Sequence, residues 1–224
     1  MSFVVAVDGP AGSGKGTVTK KIAQNLGFIN LDTGATYRCL ALEVLRNNLK
    51  IEDEEKITNL ANNIDIKINS TEKGDMVFLN GEDVTKKIRE QDVTKIVSQV
   101  SAIIPVREIM VNIQRKLAIG KKVIVEGRDI GTVVFPNADL KIYLDADPKV
   151  RAKRRQLQNE ENNIVSTYEE VLKQIIERDN NDKNKKVGAL KKADDAILVD
   201  SSNLSIEEVT KKIESLINEK LKEG

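Results

Sequence analysis

Four short, predominantly apolar runs punctuate a chain that otherwise mixes polar and apolar positions at helical spacing: 3–7, Val123–Val125, Leu140–Leu144 and Ala196–Val199. Runs of this kind predict parallel strands buried in a sheet that helices cover on both faces. A shorter run at 28–31 is a fifth candidate. Between the runs, helical patterns fall near 17–25, 34–48, 92–119, 148–158, 166–180 and 205–221. Asp147-Pro148 offers an N-cap with proline at the first helical position, and Ser166 with Glu169 and Ser205 with Glu208 fit capping boxes. Alternating strands and helices predict an α/β layered fold whose ligands collect at the carboxyl ends of its strands.

One region breaks the alternation. Ile64, Ile66 and Ile68 alternate with polar residues, the period of a half-buried strand, and Met76–Leu79 follows. Asn80-Gly81 then supplies the residues that a tight hairpin turn demands. Residues 50–92 therefore read as a small antiparallel insertion, with 1–49 and 93–224 forming the core. No internal repeat or low-complexity linker is visible.

Composition narrows the classes. The 224 residues carry 36 Lys and Arg against 35 Asp and Glu, a net charge of +1, and 40% are hydrophobic. Such a chain can build a substantial core but has no global field to attract nucleic acid or an anionic membrane. No apolar run approaches the roughly 18 residues that span a bilayer, and the beginning, Met1-Ser2-Phe3, lacks the pattern of a signal peptide. The expectation is a soluble cytoplasmic protein, a monomer, with neither membrane nor nucleic-acid partner. Cys39 is the single cysteine, which excludes internal disulfides and paired-cysteine metal sites. Histidine is absent, so Ser-His and Cys-His nucleophilic mechanisms and His-ligated zinc are excluded too. Any chemistry must rest on Lys, Arg, carboxylates, backbone amides and a bound cation.

The first apolar run leads directly into Gly9-Pro10-Ala11-Gly12-Ser13-Gly14-Lys15-Gly16-Thr17, and a helix follows. Strand, glycine-rich loop with lysine, then helix is the context of a phosphate-binding loop. The glycines let successive N–H groups point at phosphate oxygens, the helix N-terminus adds partial positive charge, and Lys15 brings a full one. Gly16 stands where Ser or Thr commonly helps to hold Mg²⁺, with Thr17 one place later. No direct protein ligand to the metal is therefore expected; phosphate oxygens and water would hold it.

Three further clusters lie where a ligand edge is expected. Asp32-Thr33-Gly34-Ala35-Thr36-Tyr37-Arg38 opens a helix after the short strand, with Thr33 as an N-cap and Arg38 a surface residue as the plainer reading. Val125-Glu126-Gly127-Arg128-Asp129-Ile130-Gly131-Thr132 ends a buried strand in a carboxylate, a glycine and adjacent opposite charges. Glu126 suits the second shell of Mg²⁺, and Arg128 and Asp129 either meet a ligand or pair with each other at the surface. The charge run from Arg178 to Lys186 reads as a solvated surface or as a segment closing over phosphates. Arg151, Arg154 and Arg155 share a helix face, as a salt-bridged exterior or a contact to nucleotide.

Taken together, the phosphate loop, Asp32–Arg38, Glu126-Gly-Arg-Asp-Ile-Gly-Thr-Val-Val-Phe-Pro136 and Asp200-Ser-Ser-Asn-Leu-Ser205 closely resemble the bacterial cytidylate kinases, over essentially residues 3–220 and including the insertion of their long form. The resemblance implies a P-loop nucleoside-monophosphate-kinase fold: a five-stranded parallel sheet flanked by helices, an antiparallel monophosphate-binding insertion and a mobile lid at about 160–190. It implies transfer of the γ-phosphate of ATP to CMP or dCMP with Mg²⁺, with small nucleotides as the only partners. Residues 9–17 would hold ATP; Thr33, Arg38, Ser98, Arg107, Arg128, Asp129, Arg178 and Asp182 would contact the monophosphate. Among these, Ser98, Arg107, Arg128 and Asp129 would read the cytosine edge, and Asp182 the sugar. Lys15, Arg128 and Arg178 would be the catalytic cations. The chain departs from the pattern at Lys183 and Lys185, where relatives often carry arginine, and at Glu126, where some have aspartate. A UMP or AMP kinase, or an ATP-binding module without activity, are the alternatives.

Overall fold

The computed structural model describes residues 2–71, 74–161 and 164–223. Met1, Glu72 and Lys73 of the expected insertion and core, and Asn162 and Asn163 of the expected lid, lie outside the described residues. Five parallel strands form the main sheet: β1 (Phe3–Asp8), β2 (Ile29–Asp32), β6 (Lys122–Gly127), β7 (Leu140–Asp145) and β8 (Ile197–Asp200), in the order β2-β6-β1-β7-β8. The central strand β1 pairs Asp8 with Gly127 on one side and with Tyr143 on the other. All five apolar runs thus become strands of one parallel sheet, but the last is not buried: β8 lies at the edge, with Ile197 and Leu198 exposed and only Val199 in the core.

Alternation along β1 divides the core. Val5 and Val7 pack on one face with Val18 and Ile22 of α1 (Lys15–Leu26) and with Val209, Ile213 and Ile217 of α8 (Ile206–Glu223). Val4 and Ala6 face the other way, toward Val111 of α5 (Ile104–Ala118) and Ile130 and Val134 of a short π-helical turn (Ile130–Val134). A third cluster joins α2 (Thr33–Arg46), α3 (Glu54–Asn63) and α5 to a second sheet, β3 (Ile66–Thr71), β4 (Gly74–Leu79) and β5 (Glu82–Asp83), which is antiparallel. Leu40, Ile57, Leu79, Ile88 and Met110 are fully buried in it. The insertion therefore shares its core with α2 and α5. Asn80-Gly81 makes the turn from β4 to β5 with both residues at positive φ, 52° and 84°.

The structure corrects the expected elements at four points. The single helix at 92–119 is two, α4 (Gln91–Val100) and α5, bent by 105° at a break over 101–103. The cause is Pro105, which lacks an N–H and clashes with a preceding turn, so it is tolerated only in the first turn of a new helix. The helix α3 lies inside the stretch read as antiparallel, where Ile57, Leu60, Ala61 and Ile64 keep the i, i+3, i+4, i+7 spacing of an amphipathic helix; Ile64 ends it and the strand begins at Ile66. Next, α7 (Tyr168–Lys183) is capped one residue later than expected. Thr167 Oγ1 accepts from Glu170 N at 3.2 Å, while Glu170 accepts from Thr167 N at 2.9 Å. Ser166 Oγ is occupied instead by Asn159 Nδ2 of α6 (Pro148–Glu161) at 2.9 Å. Finally, Asp32, not Thr33, is the N-cap of α2, accepting from Ala35 N at 3.1 Å. The other expected caps form: Asp147 accepts from Lys149 N at 2.7 Å, and Ser205 from Glu208 N at 3.2 Å.

No single helix among the described residues is long and apolar enough to cross a membrane. Because Leu40 of α2 is fully buried where the insertion meets the core, Leu40→Ala is expected to lower stability by about 2–5 kcal/mol, read from urea unfolding.

Candidate active site

Each parallel strand brings a carboxylate to the same edge of the sheet: Asp8, Asp32, Asp145 and Asp200 end their strands, and Glu126 is next to last in β6. Between them, the phosphate loop turns from β1 into α1, with Lys15 as the first helical residue after Gly14. Lys15 and Ser13 are buried, whereas Thr17 is exposed. Lys15 Nζ donates to Gly9 O at 2.8 Å, Pro10 O at 2.7 Å and Ser13 Oγ at 3.3 Å. Burial, with Arg128 nearby, pushes its ammonium down to about 7, against the opposing pull of Glu126 and Asp8.

Glu126 crowds the glycine that stands where a hydroxyl residue is common. A Cβ on Gly16 would stand 3.2 Å from Glu126 Oε1, so a side chain there would require the Glu126 carboxylate to move by a few tenths of an ångström. The buried carboxyl also accepts from Thr19 Oγ1 at 3.4 Å. Burial and the neighbouring Asp32 raise it to about 7; Lys15 and Arg128 work the other way. Thr33 Oγ1 ties the start of α2 to Glu126 O at 2.7 Å, which fixes β2 and β6 at this edge.

Past β6, the chain presents Arg128 and Asp129 in different directions. They do not pair with each other. Arg128 Nε donates to Asp182 Oδ2 of α7 at 2.9 Å, and Lys185 Nζ lies 3.2 Å from Asp182 Oδ1. Burial alone would raise the Asp182 carboxyl, but Arg128 and Lys185 outweigh it and hold it below its ordinary range. Asp129 pairs with Arg107 of α5, whose guanidinium carbon stands 5.8 Å from the centroid of the Tyr37 ring. Gly188, at φ 66°, lies against this pair; a Cβ there would come 2.7 Å from Asp129 Oδ2.

Further cations complete the edge. Arg38 Nη1 donates to Thr94 Oγ1 at 2.7 Å and to Ile88 O at 3.2 Å. Ser98 is exposed on α4 one turn beyond Thr94. Arg178 is exposed on α7 within the electrostatic reach of Arg128, Arg38 and Arg155, with Asp182 compensating. Of the three arginines on α6, Arg151 is buried and bidentate on Asp179, and it also donates to Ala11 O of the phosphate loop at 3.0 Å. Arg154 donates to Ser201 O at 2.7 Å, and Ser201 Oγ donates to Ser13 O at 3.3 Å. Arg155 bonds only Gln158 Oε1, at 2.8 Å on the surface, among the described residues.

The structure thus gathers Lys15, Glu126, Arg128, Asp129, Arg107 and Asp182 at one edge. It adds Asp8 and the Arg151–Asp179 pair, whose partners are distant in sequence. For Asp8 the available signal was an acidic residue at the strand end directly before Gly9.

A phosphate loop on the central strand, with lysine at the helix entrance and arginines converging from several elements, defines a P-loop kinase of the α/β class. An uncharacterized protein from Eubacterium ventriosum shares the fold: its crystal structure superposes with a TM-score of 0.53 at 13% identity, covering 96% of this chain and 98% of that one. The sequence profile described as cytidylate kinase matches residues 5–219. Proteins named cytidylate kinase from Caldicellulosiruptor bescii (48% identical, 93% of this chain and 92% of that one) and Fusobacterium nucleatum (47%, 96% and 99%) are among its relatives. A third, from Caldanaerobacter subterraneus, is 46% identical over 99% of this chain and 97% of its own. The chain belongs to the cytidylate kinase family.

The Asp182 pairing has a pH consequence of definite sign. Its folded pKa is depressed, so its contribution to stability is present above the ordinary carboxylate value of about 4 and lost as pH falls below it. Asp182→Asn should be less stable than the parent at neutral pH, by about 1–2 kcal/mol for this partly exposed pair, and so melt at lower temperature. Calorimetric scans should show the gap closing as the buffer is taken below about pH 4.

Proposed function

We propose that this protein transfers the γ-phosphate of ATP to CMP or dCMP, giving ADP and CDP or dCDP, in the cytoplasm. The observation that supports this reading is the adjacency of two loops. The phosphate loop leaves β1 at Asp8, and the Arg128–Asp129 turn leaves β6 at Gly127, its direct neighbour in the sheet. Donor and acceptor phosphates bound at these two ends would meet across one strand spacing.

Residues 9–17 take the ATP phosphates: loop amides and the α1 N-terminus bind their oxygens, and Lys15 supplies the mobile charge. An anion beside Lys15 draws its ammonium back up from about 7, so phosphate binding secures the proton that it needs. On the acceptor side, Arg38, Arg128 and Arg178 bind the monophosphate, using guanidinium forks suited to phosphate oxygens. Ser98, Arg107 and Asp129 present mixed donors and acceptors to the cytosine edge, Thr33 supports the acceptor phosphate, and Asp182 serves the sugar. Residues 50–92 are the monophosphate-binding insertion, and about 160–190 act as the lid.

Glu126 and Asp32 repel one another beside Gly16, and a divalent cation held by phosphates and water would relieve that repulsion. Bound there, Mg²⁺ would neutralise charge on the phosphate oxygens. The acceptor is already an anionic phosphate at neutral pH, so the site has no need of a strong base. Lys15, the loop amides and the arginines act by position and charge as the phosphoryl group moves in line.

An ADP-release assay across CMP, dCMP, UMP and AMP tests the assignment directly. CMP or dCMP should give the highest kcat/KM; faster turnover of AMP or UMP would overturn the choice of acceptor, and no turnover with ATP still bound would leave an inactive binding module. Lys15→Ala should fold normally and lower kcat on the order of 100- to 1,000-fold. A variant with near-normal turnover would refute the role given to Lys15.

A further inference from the structure

The turn at Ile130–Val134, which carries Arg128 and Asp129 at its entrance, is capped from another part of the chain. A helical turn leaves its first N–H groups without partners in its own backbone, and an aspartate in the position before it ordinarily accepts from them. Asp129 occupies that position, yet its side chain makes no such bond. It pairs with Arg107 instead. The two N–H groups are taken by Asp8, 122 residues from Ile130: Ile130 N donates to Oδ1 and Gly131 N to Oδ2, each at 2.7 Å. Asp8 is 4% exposed, ends β1 and directly precedes Gly9.

We propose that Asp8 is a positioning residue of the transfer site: by capping the 130–134 turn from the end of β1, it frees the Asp129 carboxylate to face Arg107 and fixes the acceptor-side turn against the phosphate loop. Without its two oxygens, the residue whose position before the turn suits it to take over the Ile130 and Gly131 amides is Asp129 itself. Asp129 could reach them only by giving up Arg107, which would then be a buried guanidinium lacking its anion. The residue type is also informative. Burial raises the Asp8 carboxyl to about 6, with Asp129 adding to the rise and the two amides and Lys15 opposing it. A neutral side chain would be cheaper to bury, but only a carboxylate offers two acceptor oxygens to two adjacent N–H groups.

The consequence for turnover rests on the reading of Asp129 as an acceptor-site residue, so the test has one arm independent of it. In a crystal structure of Asp8→Asn, whose amide offers one acceptor and one donor, Asp129 should be turned from Arg107 onto the Ile130 and Gly131 amides. An Arg107–Asp129 pair left in place would overturn the proposal. In kinetics, Asp8→Asn should raise KM for CMP on the order of tenfold while KM for ATP moves less than about threefold. In an Asp129→Asn background the same substitution should add almost nothing. Equal rises in both KM values, or full multiplication of the two single effects, would place Asp8 in the phosphate loop alone and refute the idea. Should Asp8→Asn fail to fold, Asp8→Ser, which leaves a single acceptor oxygen, replaces it in every comparison. A parent enzyme that ignores CMP would sink the proposed function, while the crystal comparison would still decide the role of Asp8.

Discussion

Positive charges taken partly out of water repel one another and lose hydration, and they stay in a folded protein only where fixed anions answer them. The carboxyl edge of this sheet is organised by that requirement. Lys15 sits between Asp8 and Glu126, Arg107 on Asp129, Arg128 on Asp182, and Arg151 on Asp179. The partners come from the strand ends of β1 and β6, from α5 and α6, and from α7, so each pair also pins one element to another. The Arg151–Asp179 pair extends to Ala11 and so joins the phosphate loop to both helices that frame it.

The compensation is incomplete beside the phosphate loop. Glu126 and Lys15 are both pushed toward neutrality, to about 7 from opposite directions, and Asp8 is raised to about 6. Groups held so far from their ordinary values mark a site built for charges that arrive with a ligand. An anion at the loop favours the Lys15 ammonium; a cation near Gly16 favours the Glu126 carboxylate. The hydrophobic core carries the cost, since the buried alternation of β1 and its neighbours is uninterrupted up to the strand ends.

Much of this was legible in the chain because it is local. Buried parallel strands read as continuous apolar runs, and the phosphate loop spans nine residues with strand and helix in fixed order. Helix ends were less secure. Ser166-x-x-Glu169 and Thr167-x-x-Glu170 fit the same capping pattern, and only the Asn159 bond to Ser166 decides between them. The break before α5 depended on giving Pro105 its full weight within a long amphipathic stretch. What the sequence could not disclose were pairings across long separations: Asp8 with Ile130 and Gly131, Arg151 with Asp179, Arg128 with Asp182. The adjacency of Arg128 and Asp129 even suggested a mutual pair, whereas the turn sends them to separate partners.

That separation has a physical advantage. Adjacent opposite charges that paired with each other would neutralise one another in place and offer little to a ligand. Pairing Arg128 with Asp182 commits the arginine to a carboxylate on α7, one end of the segment read as the lid. Pairing Asp129 with Arg107 commits the carboxylate to α5, beside Tyr37. A phosphate dianion bound at this edge would compete well for Arg128, because it matches the guanidinium fork with more charge than one carboxylate carries. Asp182 would then keep Lys185 as its counterion, 3.2 Å away, so the exchange would leave no buried anion stranded. Lysine at 185 suits that duty: a compact ammonium on a flexible stem can follow the carboxylate, where a planar fork would demand a fixed geometry.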